Sequence, residues 1–238
     1  MRSKAWMLRN MTVVVGATLV ALSAGVAVAA ETESSIARGG RLYDKWWAEK
    51  ETEKPTTEHP AYPNKGGKYS GDSWRCKECH GWDYKGKDGA YGSGAHQTGI
   101  KGIAGAAGKD PAAIALILRD STHGYSEQQL DATDIRDLSL FVAKGQIDVS
   151  AFVAAPTNKP TGTAEKGEVY YNTICAGCHG FDGKKEKKAV LGEVAGNRPE
   201  MLHKTFNGHP GQSMPALRAL PAEITVDIVT YLPSLPKK

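Results

Sequence analysis

Two five-residue runs, Cys76-Lys77-Glu78-Cys79-His80 and Cys175-Ala176-Gly177-Cys178-His179, constrain this chain more than anything else in it. They use all four cysteines, so no thiol remains for another purpose. Three simpler readings are a zinc site, a thioredoxin-like redox pair and a disulfide. A zinc module would have to join runs about a hundred residues apart, whereas such modules usually keep their ligand pairs within a few dozen residues. A redox pair does not call for a histidine directly after its second cysteine, and here the histidine appears twice. The spacing does suit covalent haem attachment, in which each thiol adds to one vinyl group and the next side chain reaches the iron from the tethered side. The expectation is two covalently bound haem c groups, attached at Cys76, Cys79, Cys175 and Cys178, with His80 and His179 as the near-side iron ligands.

The first thirty residues have the three parts of an export signal. Arg2, Lys4 and Arg9 form a basic head, an apolar run extends from Met11 to about Val28, and Ala27-Val28-Ala29-Ala30 supplies small residues for cleavage after Ala29 or Ala30. The competing reading is an uncleaved anchor, which the Gly, Ala, Ser and Thr content of the run weakens. Haem is attached to such motifs outside the cytoplasm in bacteria, so signal and motif agree on a periplasmic protein. Membrane association is expected only if that segment stays uncleaved, or through a complex.

Beyond residue 30 the chain has the length of two small domains. Residues 31–155 carry 16 basic and 18 acidic side chains, and the remainder carries 11 and 8. Neither balance is basic enough to suggest nucleic acid. With the Cys-His runs superimposed, an internal repeat emerges. Ala164 to Thr173 reads as a short helix entering the second run, with Gly167 and Tyr170 on one side; Arg38 to Trp47 offers Gly40 and Tyr43 at the same spacing. Asp110-Pro111 opens a helix as N-cap and first-turn proline, and Arg198-Pro199 opens its counterpart. Each half closes with an amphipathic helix, Ala132 to Lys144 and Ala222 to Leu232. The divisions expected are a signal at 1–30, a first domain at 31–152 with an insertion at 48–73, a Pro- and Thr-rich linker at 153–163, and a second domain at 164–238.

This arrangement resembles the class I cytochrome c family, in both halves of the mature chain. The resemblance implies an all-α fold of two tandem domains, each a few helices wrapped round its haem. It also implies that the first and last helices of each domain cross at a small residue, a place that Gly40 and Gly167 look able to fill, with Tyr43 and Tyr170 as aromatic neighbours. In that family a methionine usually reaches the far face of the haem from a loop before the last helix. Asn207 to Pro215 looks like that loop, which makes Met214 the expected ligand; Met201 reads as packing, and His203 and His209 as solvent-side or loop alternatives.

The first half has no methionine between Glu31 and Val153. Counting forward from Pro111, as from Pro199 to Met214, leads to the loop Asp120 to Tyr125, where His123 stands 14 residues before Asp137 as Met214 stands 13 before Asp227. His96, His59 and an open iron remain alternatives. A nitrogen donor in place of a thioether lowers the potential, so electrons would enter at the first haem and leave from the second.

The expected function is a periplasmic dihaem electron carrier, or the cytochrome subunit of an oxidoreductase complex, working between redox-partner proteins. The alternative is a dihaem oxidoreductase acting on a small inorganic substrate at the first haem. The insertion at 48–73 reads as an ordered wrap over the haem edge, with Trp46, Trp47, Trp74, Trp82 and Tyr84 nearby, at least half of them plain core. Lys184-Lys185-Glu186-Lys187-Lys188 reads either as a steering patch for an acidic partner or as a solvated loop.

Overall fold

The computed structural model describes residues 32–63, 70–154, 159–186 and 189–238. The expected signal segment lies outside these, as do 64–69 of the insertion, 155–158 of the expected linker, and Lys187 and Lys188 of the lysine run. The fold is helical. Among the described residues the β-structure is one two-residue ribbon, β1 (Val153–Ala154) against β2 (Lys159–Pro160), with Val153 opposite Pro160, and one isolated bridge between Gly86 and Lys101. No described helix is long and apolar enough to cross a membrane.

In the first half, α1 (residues 32–49) buries Ile36, Leu42, Tyr43, Trp46 and Trp47, spacings that place one apolar stripe along the helix. The short α2 (Cys76–His80) carries the first Cys-His run. In α3 (Pro111–Leu118), Asp110 accepts a hydrogen bond from the Ala112 amide at 2.9 Å, and proline occupies the first turn, where its missing N–H has no cost. A capping box starts α4 (Ala132–Leu140), with Asp131 accepting from Asp134 N and the Asp134 carboxylate accepting from Asp131 N. The chain continues as one wider helical turn, Phe141–Gly145, and after a break forms α5 (Val149–Phe152).

The second half follows the same plan. Here α6 (Ala164–Tyr170) runs through a wide turn, Tyr171–Cys175, directly into α7 (Ala176–His179), so the second Cys-His run ends a continuous helical stretch. It is followed by α8 (Leu191–Val194), α9 (Arg198–Asn207) and α10 (Ala222–Tyr231).

Each half has a glycine where its first and last helices cross, but in the first half it is not the expected one. A Cβ on Gly167 would lie 2.0 Å from the Asp227 carbonyl oxygen, and a Cβ on Gly39, not Gly40, would lie 2.1 Å from that of Asp137. Side chains at these points would hold the backbones apart. The aromatic partners shift accordingly. Tyr43 Oη donates to Gly81 O at 2.6 Å, and Tyr171 Oη, not that of Tyr170, donates to Gly180 O at 2.6 Å. The repeat is therefore a glycine and a tyrosine one helical turn apart, i and i+4, which share a helix face. Alignment by residue type alone chose i and i+3.

Gly40 is occupied differently, since a Cβ there would meet the Asn207 side chain of α9 at 2.3 Å. Along this seam α9 of the second half packs on the first. Lys204 Nζ lies 2.6 Å from Asp44 Oδ2, Arg41 donates to Asn207 O at 2.9 Å, and Arg218 donates to Gly145 O at 2.7 Å. His203, expected on the solvent side, is 1% exposed in the seam. Its Nε2 donates to Gly40 O at 2.9 Å, and its Nδ1 accepts from Tyr84 Oη at 2.8 Å. Trp82 is also buried there, with the cations of Lys77, Arg75 and Lys204 at 5.2, 5.9 and 5.3 Å from its ring.

Candidate functional site

The short helix α2 holds Cys76, Cys79 and His80 within one turn and a half, which brings both sulfurs and the imidazole to neighbouring positions. The four cysteines are free, not joined in disulfides. Burial pushes the thiol of Cys76 up to about 11, that of Cys79 up to about 12 and that of Cys175 up to about 11. A redox or zinc-binding pair needs the opposite, a stabilised thiolate. Protonated, half-buried thiols at Cys76, Cys79 and Cys175 suit attachment to an apolar ring instead, while Cys178 is exposed.

His80 Nδ1 donates to Lys101 O at 2.8 Å, across the glycine-rich segment that follows the motif. That bond selects the tautomer with a bare Nε2, and burial lowers the pKa of the ring, favouring the neutral form that binds metals. Facing it is His123. The two ring centroids lie 6.3 Å apart with 27° between the planes. Rings in van der Waals contact would sit far closer. A single metal ion bound by one nitrogen of each ring, with bonds of about 2.0–2.1 Å and each centroid about 1.1 Å behind its nitrogen, requires about 6.3 Å. His123 Nδ1 is turned to Asp120 Oδ1 at 3.1 Å, and the same oxygen accepts from the amides of Thr122 and His123 at 2.9 Å each. Its Nε2 thus has no hydrogen bond among the described residues. The donor chemistry and the spacing fit a haem iron between the two imidazoles.

The alternative histidines are engaged elsewhere. His59 stands edge-on to Trp74 at 4.4 Å, its Nε2 donates to the His123 carbonyl at 2.9 Å, and its Nδ1 accepts from Ala61 N at 3.1 Å. It braces the His123 loop. The insertion that carries it is folded onto the first half, burying Tyr62 as well, and a Cβ on Gly71 would collide with Pro55 O at 1.7 Å. His96 stacks on Tyr91 at 4.7 Å and meets the buried Glu78 carboxylate at 3.1 Å. Of the five aromatics singled out, Trp46, Trp47, Trp82 and Tyr84 are buried, with Trp74 partly so. Sequence reasoning missed Asp120, His59 and the Lys101 carbonyl as supports of the two facing imidazoles. Asp120, three residues before a histidine in a turn, was the readable signal; the other two come from distant segments.

The second site is built alike near the motif. Lys185 N donates to His179 O at 3.0 Å, as Gly86 N does to His80 O at 2.9 Å. His179 Nδ1 is buried and has no hydrogen-bond partner among the described residues. Burial lowers the pKa of this ring too. Met214 is half-buried on the loop between α9 and α10, where its carbonyl would touch a Cβ placed on Gly208. Met201 is 7% exposed inside α9, as its packing role requires. Of the two histidine alternatives, His203 has both ring nitrogens committed in the seam. His209 is half-buried, with Nδ1 3.1 Å from Pro210 O.

Among known proteins, residues 162–232 match the family described as cytochrome C oxidase, cbb3-type, subunit III. No curated protein and no solved structure matches the chain. The match covers the second half, from the start of α6 into the turn that ends α10, with the second Cys-His run inside it. The chain thus includes a c-type cytochrome domain over these residues, which supports covalently bound haem c and electron transfer as its chemistry.

Proposed function

We propose that the protein is a dihaem c-type cytochrome, exported from the cytoplasm, that relays electrons between two redox-partner proteins. One haem would be tethered at Cys76 and Cys79 and ligated by His80 and His123. The other would be tethered at Cys175 and Cys178 and ligated by His179 and Met214. The observation carrying the reading is the 6.3 Å separation of the His80 and His123 rings, each with Nδ1 engaged outward. A bound haem supplies a one-electron couple. The protein's part is to keep the His80 ring neutral through burial, orient the two imidazoles through Lys101 O and Asp120, and exclude water with Trp74, Tyr125 and the folded insertion. With His80 and His123 holding one haem and His179 and Met214 the other, the first haem would have the lower potential and electrons would pass from the first half to the second.

The test is a redox titration with low-temperature spectroscopy on the haem-loaded protein. Two waves are expected, the lower one carrying a bis-histidine spectrum that His123→Ala abolishes. The far-red sulfur-to-iron band should disappear in Met214→Ala. Mass spectrometry showing a single attached haem, or one axial pair shared by both irons, would overturn the reading.

A further inference from the structure

The seam inside the chain is heterologous: one face of the first half, with Arg41 on α1 and Trp82 two residues past His80, meets a different face of the second, on α9. Because the halves repeat, each kind of face exists a second time, with nothing against it among the described residues. The correspondence follows from landmarks already described. Gly39 and Gly167 align α1 with α6, placing Val169 where Arg41 stands. His80 and His179 align the two runs, placing Phe181 where Trp82 stands. Pro111 and Pro199 align α3 with α9, placing Leu116 and Ile117 where Lys204 and Thr205 stand.

These four residues are large, apolar and exposed: Leu116 75%, Ile117 51%, Val169 63% and Phe181 74%. They account for four of the six exposed large hydrophobic residues among those described. In the closed seam, position 204 reaches the opposite half, and positions 41 and 82 receive α9. Leu116, Val169 and Phe181 therefore point away from their own half's core. The repeat alignment puts Val169 with Phe181, and Leu116 with Ile117, at positions that form the internal seam, and exposed large apolar residues so placed suit an interaction surface.

We propose that the chain associates head to tail with a second copy of itself, the Val169 and Phe181 face of one copy seating on the Leu116 and Ile117 face of α3 in the next. The occupant is a second copy because each chain carries one face of each kind, and the two stand in the relation that the internal seam already realises. Where that seam uses Lys204 with Asp44 and Arg41 with the Asn207 carbonyl, the open faces offer apolar side chains on both sides. A heterologous contact of this kind leaves one unused face at each end, so it adds further copies instead of stopping at two. The inference rests on the repeat and the exposed faces, not on the ligation of either iron.

Sedimentation velocity of the haem-loaded chain across a concentration series tests it. Wild type should shift to larger species as concentration rises. Leu116→Glu and Phe181→Glu, both at exposed positions, should each weaken association at least about tenfold while leaving far-UV circular dichroism and the haem spectrum unchanged. An equimolar mixture of the two variants should give a species of two chains and no larger, since each retains the face that the other lacks. Wild type that sediments as one chain at every concentration would overturn the proposal and leave the faces to a different protein. So would an unaffected Phe181→Glu variant, which would indicate a symmetric contact through α3 alone, or a mixture in which the variants stay apart.

Discussion

The buried His203 makes the stability of the protein fall with acid in a calculable way. Its ring is flanked by the Tyr84 hydroxyl and the Gly40 carbonyl, with the charges of Asp44, Lys204 and Arg218 around it. Burial dominates and lowers its pKa to about 4. In the unfolded chain a histidine titrates near about 6.5. Above that pH the ring is neutral in both states and nothing is lost. As the pH falls below it, the unfolded chain takes up a proton that the folded seam refuses, so stability drops until the folded pKa is reached. Each pH unit costs about 1.4 kcal/mol, which gives about 2 kcal/mol at pH 5 and about 3 kcal/mol at pH 4. Urea unfolding followed by far-UV circular dichroism on the haem-loaded protein between pH 7 and 4 measures it, with His203→Gln as the comparison. Every other titrating group is common to both proteins, so the difference between their curves isolates this ring. The variant should be the less stable at pH 7, through imperfect bonds to Tyr84 and Gly40, and should close or reverse the gap toward pH 4. Parallel curves would refute a neutral, proton-excluding His203.

Two further substitutions probe the helix contacts. Gly167→Ala places a methyl group 2.0 Å from Asp227 O, which forces α6 off α10 and should cost about 3 kcal/mol, read as a lower thermal midpoint. Lys204→Met leaves the buried Asp44 carboxylate with Arg75 as its remaining cationic partner. It should cost about 2 kcal/mol at pH 7 by urea unfolding, less than the about 3–5 kcal/mol typical when a buried charge is stranded.

Much of the architecture was legible because it rests on local rules. The Cys-His runs, the capping and proline signals at Asp110 and Pro111, and the apolar spacing of α4 and α10 each depend on neighbours within a turn or two. The crossing glycine was misplaced by one residue for the same reason. Gly39 and Gly40 are equally good candidates by residue type, and which one meets Asp137 depends on the rotation of α1 against α4. By count the sequence put His123 forward, with His96 and His59 beside it. It contained no sign that His59, sixty-four residues earlier, would brace its carbonyl.

What the sequence determined alone is the chemistry it can host: two thiol pairs, each followed by an imidazole, in a chain whose helices start and stop at readable signals. Only the tertiary structure decided which histidine faces His80, and that His203 serves a seam between the halves instead of a metal. Hydrogen-bond geometry made those choices, since an imidazole has two nitrogens and its role follows from what lies within 3 Å of each, contacts formed by segments far apart along the chain.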